Sequence, residues 1–407
     1  MKILHVNKFF DFHGGAETYL HSLMKHQQDR GHEVHAFSTR APKNAPSDDA
    51  SAFVERYDYA RSEGLSRDLK KGLSYLWNRD AERAMKRMIA EIQPDVIHMH
   101  NIYHHLSSSV LKPIRAARIP CVQTLHDYKL ACPNYKMFTE GSICERCHGG
   151  RYMEAVTHHC LSASTAQNFL AAAEMGMTKL AQSYERTVGM FLCPSQFMAD
   201  KMIAWGEPPS KFLVIPNPID IPEVSATGDG DYILYAGRLS PEKGIETLVR
   251  AMAHVPEARL HIAGTGPEEG KLHALVESLG ITTVTFLGFL RSPDLAEVRH
   301  QARALAVPSV WYENGPYAVL EAMAEEIPIM SSRIGGLPEL VEHGVSGWLV
   351  EPGNVDAWVR ALRVVVATPL ELLRRMGRAS QERVKARHLW GQHLDQLEDV
   401  YKQLQKK

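Results

Sequence analysis

Apolar runs of strand length alternate with helix-length stretches along nearly the whole of this sequence, and the alternation starts afresh halfway. In the first half, residues 3–7, 33–38, 94–98 and 119–125 read as strands, the first followed by a glycine loop and a helix carrying Tyr19, Leu20, Leu23 and Met24. Residues 164–187 read as a long helix, and 190–194 as another strand. In the second half, residues 232–236, 260–263, 284–287 and 304–307 repeat the pattern, and three of these strands run into glycine-bearing turns. Strands joined through helices run parallel, because parallel neighbours need a long crossover connection. The expected class is therefore α/β with parallel sheets, whose ligands collect at the carboxyl ends of the strands. His98, His100 and His126 stand at such ends.

A chain of 407 residues is long enough for two such domains with full cores. The proline-rich turn at 216–218 and the polar, glycine-containing stretch 222–231 serve as the linker. We divide the chain into residues 1–218, residues 219–385 and a closing helical segment 386–407 expected to cross back to the first domain. Lys and Arg number 46 against 47 Asp and Glu, so no global positive field draws nucleic acid. The first residues lead straight into a strand, and no later stretch offers about eighteen uninterrupted apolar residues. We expect a cytoplasmic protein, with the inner face of the plasma membrane as a further location. In a reducing compartment, its six cysteines bind metal or stay free more often than they pair.

Residues 308–325 carry the chemistry. An apolar strand ends at Val307, an Asn-Gly-Pro turn follows, and Tyr317 onward is rich in helix formers, with Pro316 expected at the first helical position. The amides of Tyr317 and Ala318 would then lack partners, and a helix start with free N–H groups suits phosphate oxygens. Glu313 and Glu321 flank that seat. A carboxylate beside a phosphate is repelled unless it points at hydroxyls, where each hydrogen bond to the charged acceptor contributes about 1.5 to 3 kcal/mol. Hydroxyls, diphosphate and hydroxyls in that order describe a nucleotide sugar. From this spacing alone, an exposed loop glutamate and a surface helix glutamate remain the alternative.

Other stretches add to the pattern. Gly14 and Gly15 remove side chains in the first strand-to-helix turn, where a sugar or phosphate would approach the backbone; a plain tight turn is the alternative. Arg238 and Lys243 share one strand-end loop and are placed to neutralise a diphosphate, unless they are ordinary surface cations. Cys132, Cys144, Cys147 and Cys160 lie within about thirty residues around one C-x2-C knuckle, the pattern of a closed structural zinc site. His158 or His159 would serve in place of Cys160, and free thiols are the competing reading. Cys121 and Cys193 sit inside apolar strands as core residues. Residues 61–90 hold eight Lys or Arg against four Asp or Glu, interleaved with leucines. Such a basic amphipathic stretch would lie on an anionic membrane; the reading preferred here is a solvated helix packing its leucines on the sheet.

Taken in order, Gly14-Gly15-Ala16-Glu17, Pro-Ser at 194 and 308, Pro216-Asn217-Pro218, Gly237-Arg238 with Glu242-Lys243-Gly244, Glu313-x7-Glu321 and Gly335-Gly336 resemble glycosyltransferase family 4 over nearly the whole chain. The resemblance implies the GT-B fold: two Rossmann-like domains with parallel sheets facing a central cleft. It further implies a nucleotide-sugar site in the second domain, an acceptor site in the first, and transfer with retention at the anomeric carbon. By the same resemblance, Arg238 and Lys243 hold the diphosphate, Glu321 the ribose hydroxyls and Glu313 the sugar hydroxyls, while His126 faces the donor sugar and the acceptor. Gly14, Gly15, Gly288, Gly315, Tyr317 and Ala318 complete the donor side. Three departures stand out. Gly315-Pro316 replaces the commoner Phe-Gly; Glu326, preceded by Glu325, stands where the family usually has glycine; and the cysteine-rich insertion at about 130–162 is absent from most relatives.

The implied reaction is transfer of a sugar from a UDP- or GDP-linked donor to a glycan or polyprenyl-linked acceptor in cell-surface polysaccharide biosynthesis. Negative charge on the leaving diphosphate would be absorbed by Arg238, Lys243 and the helix start, so no catalytic metal is expected. No Asp-x-Asp stands where a metal-diphosphate clamp would be. Two alternatives stay open: a sugar-nucleotide epimerase of the same architecture, separated by whether nucleotide is released only with acceptor, and a non-enzymatic zinc-bearing interaction protein, which would account for the cysteines alone.

Overall fold

The computed structural model describes residues 1–406 apart from His13, Ala60, Val224, Ser225 and Gly228. Three residues of the expected 222–231 linker therefore lie outside the described residues. The first six-stranded sheet comprises β1 (Lys2–Val6), β2 (Glu33–Phe37), β3 (Val96–Met99), β4 (Cys121–Thr124), β5 (Met190–Cys193) and β6 (Phe212–Val214), in the order β6-β5-β4-β3-β1-β2. The second comprises β7 (Tyr232–Ala236), β8 (Arg259–Ala263), β9 (Val284–Gly288), β10 (Ala304–Val307), β11 (Ile329–Ser332) and β12 (Gly347–Val350), ordered β9-β8-β7-β10-β11-β12. Every pairing in both sheets is parallel. The strands are apolar because helices cover both faces of each sheet: Leu4, Ile97, Leu234 and Leu305 are fully buried. Strand order reverses between β1 and β3 in one sheet and between β7 and β10 in the other. A ligand crevice opens at such switch points.

The linker leaves and the last segment returns side by side. The Ile219 amide donates to the His388 carbonyl at 2.7 Å, and His388 Nδ1 lies 2.7 Å from the Asn217 carbonyl. The final helix, Trp390–Gln405, then packs Leu394, Leu397, Val400 and Tyr401 into one cluster with Ile3, Tyr19, Val96 and Val122 of the first half.

Two expectations about helices need correction. The helix expected over 164–187 runs only from Thr165 to Leu180. It is closed by Gln182 in the left-handed region (φ 49°) and by the Ser183 amide donating to the Thr178 carbonyl at 2.9 Å, a closure that satisfies a last-turn carbonyl. The leucines of Leu65–Leu76 do not pack on the sheet: Leu65, Leu69 and Leu73 are 90%, 64% and 61% exposed. That helix is anchored by its opposite face, through buried Tyr75 and through Lys71, whose ammonium donates to the Asp58 and Arg61 carbonyls at 2.8 and 2.7 Å.

Candidate active site

A cavity of about 340 Å³ lies between the two domains, where the carboxyl ends of their sheets face each other. Gly15, Asn101 and His126 line it from the first domain, and Lys243, Trp311, Glu313, Gly315, Tyr317 and Ala318 from the second. A roomier hollow of about 800 Å³ beside Arg40, Arg83 and Arg87 holds none of the expected residues. In the smaller cavity Lys243, Glu313 and the free amides of a helix start converge.

The helix at its floor is Tyr317–Ala324; Pro316 precedes it in extended conformation (ψ 132°), one position earlier than expected. The Pro316 carbonyl accepts from Val319 and Leu320, leaving the amides of Tyr317 and Ala318 without a backbone acceptor among the described residues. Glu313 is buried, and its Oε1 accepts from Ser309 Oγ at 2.6 Å and Lys243 Nζ at 2.7 Å. Its carbonyl accepts from the Gly336 amide at 2.6 Å. The adjoining Gly335 has φ 59°, and a Cβ there would come within 2.4 Å of that same carbonyl oxygen, so the glycine pair is what lets this loop close on Glu313. Gly15 faces the Tyr317 ring across the cleft, where a Cβ would sit 3.4 Å from it, at contact distance without a clash.

Glu321 is held a turn deeper. Its Oε2 accepts from Arg299 Nη1 at 2.7 Å, and Arg299 also forks onto Glu325 at 2.7 and 2.5 Å. Burial raises the Glu321 pKa; Arg299 opposes the rise and Glu325 adds to it. Glu325, passed over in the sequence as a helix-end residue, is thus part of the carboxylate framework. Arg238 is exposed at the end of β7, its carbonyl accepting from the Tyr235 hydroxyl at 2.8 Å. Gly14, Arg238, Gly288 and Glu321 lie outside the lining of the cavity itself.

His126 Nε2 is 3.1 Å from His100 Nδ1, and burial lowers the His126 pKa to about 3, so the ring is neutral. Among the described residues, one trio meets at metal-binding distance: His5, His98 and His100, with ligating atoms within 4.8 Å of one another. Both ring nitrogens of each are already hydrogen-bonded, to Gln27 and His100, to Thr124 and Tyr401, and to His5 and His126 respectively.

The cysteine-rich insertion reaches the second domain. Glu145, inside the C-x2-C knuckle, accepts from the Tyr312 hydroxyl at 2.8 Å and from Lys201 at 2.7 Å, and Lys136 pairs with Glu242 at 3.0 Å. The four cysteines are close enough to interact: the Cys147 thiol is pushed up to about 12 by burial first and then by Cys132, Cys160 and Cys144. No three of their sulfurs come within 4.8 Å of one another among the described residues.

Several residues here went unremarked as site residues. Asn314 accepts from the Tyr128 hydroxyl and donates to the His126 carbonyl at 3.4 Å, while Asn217 Nδ2 donates to the Gly315 carbonyl at 3.0 Å. Glu339 caps a first-domain helix from across the cleft, accepting from the Gln196 and Phe197 amides at 2.8 and 2.7 Å. Asn217 and Asn314 sit in conspicuous turn motifs; Arg299 carries no such signal.

Comparison with known proteins agrees with this architecture. The Glycosyltransferase Family 4 model matches residues 13–223, and the Glycosyl transferases group 1 model matches residues 218–383. An uncharacterized glycosyltransferase of Methanocaldococcus jannaschii is 31% identical over 271 residues, 65% of this chain and 64% of that protein, so the chain spans just under two thirds of that relative. Among solved structures, HepE of Anabaena in complex with UDP and glucose superposes with a TM-score of 0.71 at 19% identity, covering 99% of this chain and all of the other. The lipopolysaccharide outer core galactosyltransferase WaaB does so at 0.66 and 18% identity, covering 98% of this chain and 99% of that one. Two facing parallel-sheet domains, the cleft between them and the two family matches that together span nearly the whole sequence lead to one assignment: the chain belongs to glycosyltransferase family 4 and has the GT-B fold.

Proposed function

We propose that this protein transfers a sugar, with retention, from a UDP- or GDP-linked donor to a glycan or polyprenyl-linked acceptor in cell-surface polysaccharide biosynthesis. The observation that carries the reading is the convergence in one interdomain cavity of Lys243, Glu313, His126 and the two free amides at the start of Tyr317–Ala324. The UDP and glucose bound by HepE and the galactosyl transfer named for WaaB support the donor class. The Lys243–Glu313 pair keeps both charges compensated until substrate arrives; an incoming diphosphate takes the ammonium, and Glu313 turns to the sugar hydroxyls. Arg238 joins Lys243 on the phosphates, and Glu321 takes the ribose hydroxyls. The acceptor oxygen bonds to the anomeric carbon as the bond to the diphosphate oxygen breaks. The electron pair leaves with that phosphate oxygen, which collects the acceptor's proton. The positive charges and the helix start stabilise the leaving group without a catalytic metal.

A thermal-shift screen of nucleotide sugars tests the donor. A binder at a hundred times its dissociation constant adds about 2.7 kcal/mol of stability. With that donor, Glu313→Gln is expected to lower kcat by about a hundredfold or more while nucleoside diphosphate binding holds. Wild-type turnover in Glu313→Gln, or an absolute need for added magnesium or manganese, would overturn the reading. Conversion of the donor into an epimeric nucleotide sugar with no acceptor present would favour the epimerase.

Cys132, Cys144, Cys147 and Cys160 are proposed to bind one structural zinc ion. The C-x2-C knuckle with its two flanking cysteines supports this, as does the small apolar content of the insertion, which leaves metal binding to hold it closed. Elemental analysis of protein purified without added metal is expected to give about one zinc per chain, the stoichiometry of a single four-ligand site. Fully active protein with no zinc would reject the site. The cell compartment proposed is the cytoplasm, with peripheral contact to an anionic membrane through the exposed leucines of Leu65–Leu76. No helix among the described residues is long and apolar enough to cross a bilayer.

A further inference from the structure

Two buried hydrogen-bonded runs meet near the cleft, one from the Pro216 carbonyl through His393 to Tyr19 and one from His98 through Tyr401, Gln27, His5 and His100 to His126, and in the second the Gln27 amide determines the direction because its oxygen only accepts. A carbonyl only accepts, so His393 Nδ1, 2.9 Å from Pro216 O, carries a proton. Burial holds the His393 pKa at about 4, so the ring is neutral and its Nε2 is an acceptor. The Tyr19 hydroxyl, 2.8 Å from that nitrogen, donates to it. On the first-domain side, His98 Nε2 lies 2.7 Å from Thr124 Oγ1. His98 is kept neutral by burial, and its Nδ1 accepts from the Tyr401 hydroxyl at 2.6 Å. The Tyr401 oxygen accepts from Gln27 Nε2 at 3.2 Å, which leaves Gln27 Oε1 to accept from His5 Nε2 at 2.7 Å. His5 Nδ1 then accepts from His100 Nε2, and His100 Nδ1 from His126 Nε2, both at 3.1 Å. His98, Tyr401, Gln27, His5 and His100 are all buried, so water does not scramble the order.

From this geometry we infer that the relay fixes His126 in the tautomer protonated at Nε2, leaving Nδ1 as an obligate hydrogen-bond acceptor in a side chain that lines the cleft. His100, His5 and Gln27 are positioning residues, and the anchor of the chain is the side-chain amide oxygen of Gln27. On the proposed transferase reading, His126 receives a hydrogen bond from a substrate hydroxyl and has no proton to give the leaving phosphate. Specificity at this point is for a hydroxyl that donates.

The test is nitrogen NMR of the full chain labelled with ¹⁵N-histidine, with His126 assigned from the signal lost in His126→Gln. The expected result is a protonated Nε2 and an unprotonated Nδ1. A proton on Nδ1 overturns the relay. In Gln27→Leu the direction is lost and His126 is expected to show both tautomers, whereas Gln27→Glu, which still accepts from His5, restores the single form. An unchanged tautomer in Gln27→Leu also overturns the relay. Should that variant not fold, Tyr401→Phe breaks the chain one link further on. With a donor in hand, Gln27→Leu is expected to lower kcat by about tenfold while KM for the nucleotide sugar holds, the pattern of a lost orientation. Absence of sugar transfer leaves the tautomer measurement standing, so the two readings fail separately.

Discussion

Arg299 shows how much of the site's charge balance rests on one side chain. It is 7% exposed and is the shared partner of Glu321 and Glu325. Removing one member of a buried ionic group leaves the others uncompensated, at a cost of about 3 to 5 kcal/mol. Arg299→Ala is expected to lose that much stability in urea denaturation and to raise the Glu321 pKa further, because burial and Glu325 both push it upward. Nucleoside diphosphate affinity should fall with it. Arg299→Lys restores the charge without the fork onto two carboxylates, so only partial recovery is expected. A loss below about 1 kcal/mol in Arg299→Ala, the scale of an exposed pair, would show that the carboxylates are solvated.

Among the elements, Leu65–Leu76 is the one whose face contradicts its ordinary reading. Its leucine stripe points outward beside Arg67 and Lys70, both exposed. Substituting Leu65, Leu69 and Leu73 together by serine removes no core contact, so unfolding is expected to change by about 0.5 kcal/mol per site or less. Sedimentation with vesicles containing anionic lipid should fall by about tenfold or more, since apolar insertion and attraction to the lipid charge act together. Equal binding of the triple variant to anionic vesicles would remove the membrane from the account. The final helix, Trp390–Gln405, behaves differently: its apolar face is spent on the first domain's core, and it delivers Tyr401 to the buried relay and His393 to the Tyr19 hydroxyl.

For the molecule as a whole, the buried histidines set the response to acid. Burial depresses His5 and His393 to about 4 and His126 to about 3 from an ordinary 6.5, and it also lowers His98 and His100 well below that ordinary value. The unfolded chain therefore binds more protons than the native one below pH 6.5. Stability is fully present above that value and is lost as pH falls through the window from 6.5 to about 4, by up to about 1.4 kcal/mol per pH unit for each histidine. Denaturant titrations across that range, with direct measurement of proton uptake on unfolding, check the slope. A flat profile between pH 6.5 and 4.5 would mean that water reaches these rings.

The parallel α/β class, most strand positions, the helix start at Pro316-Tyr317 and the flanking Glu313 and Glu321 were legible in the sequence, because each is written in local periodicity and turn chemistry. So was the pairing of His126 with the cleft, since residues at strand carboxyl ends share one edge of a parallel sheet. Which way the leucines of Leu65–Leu76 face was not legible: amphipathicity fixes that a helix has two faces, and tertiary contacts through Lys71 and Tyr75 choose the inner one. Nor were Arg299, bridging two glutamates 22 and 26 residues away, and the His393, Tyr19 and Tyr401 links, which join positions more than 300 apart. Charge compensation and hydrogen-bond direction are properties of side chains brought together by the packed fold. No spacing in a linear chain encodes them.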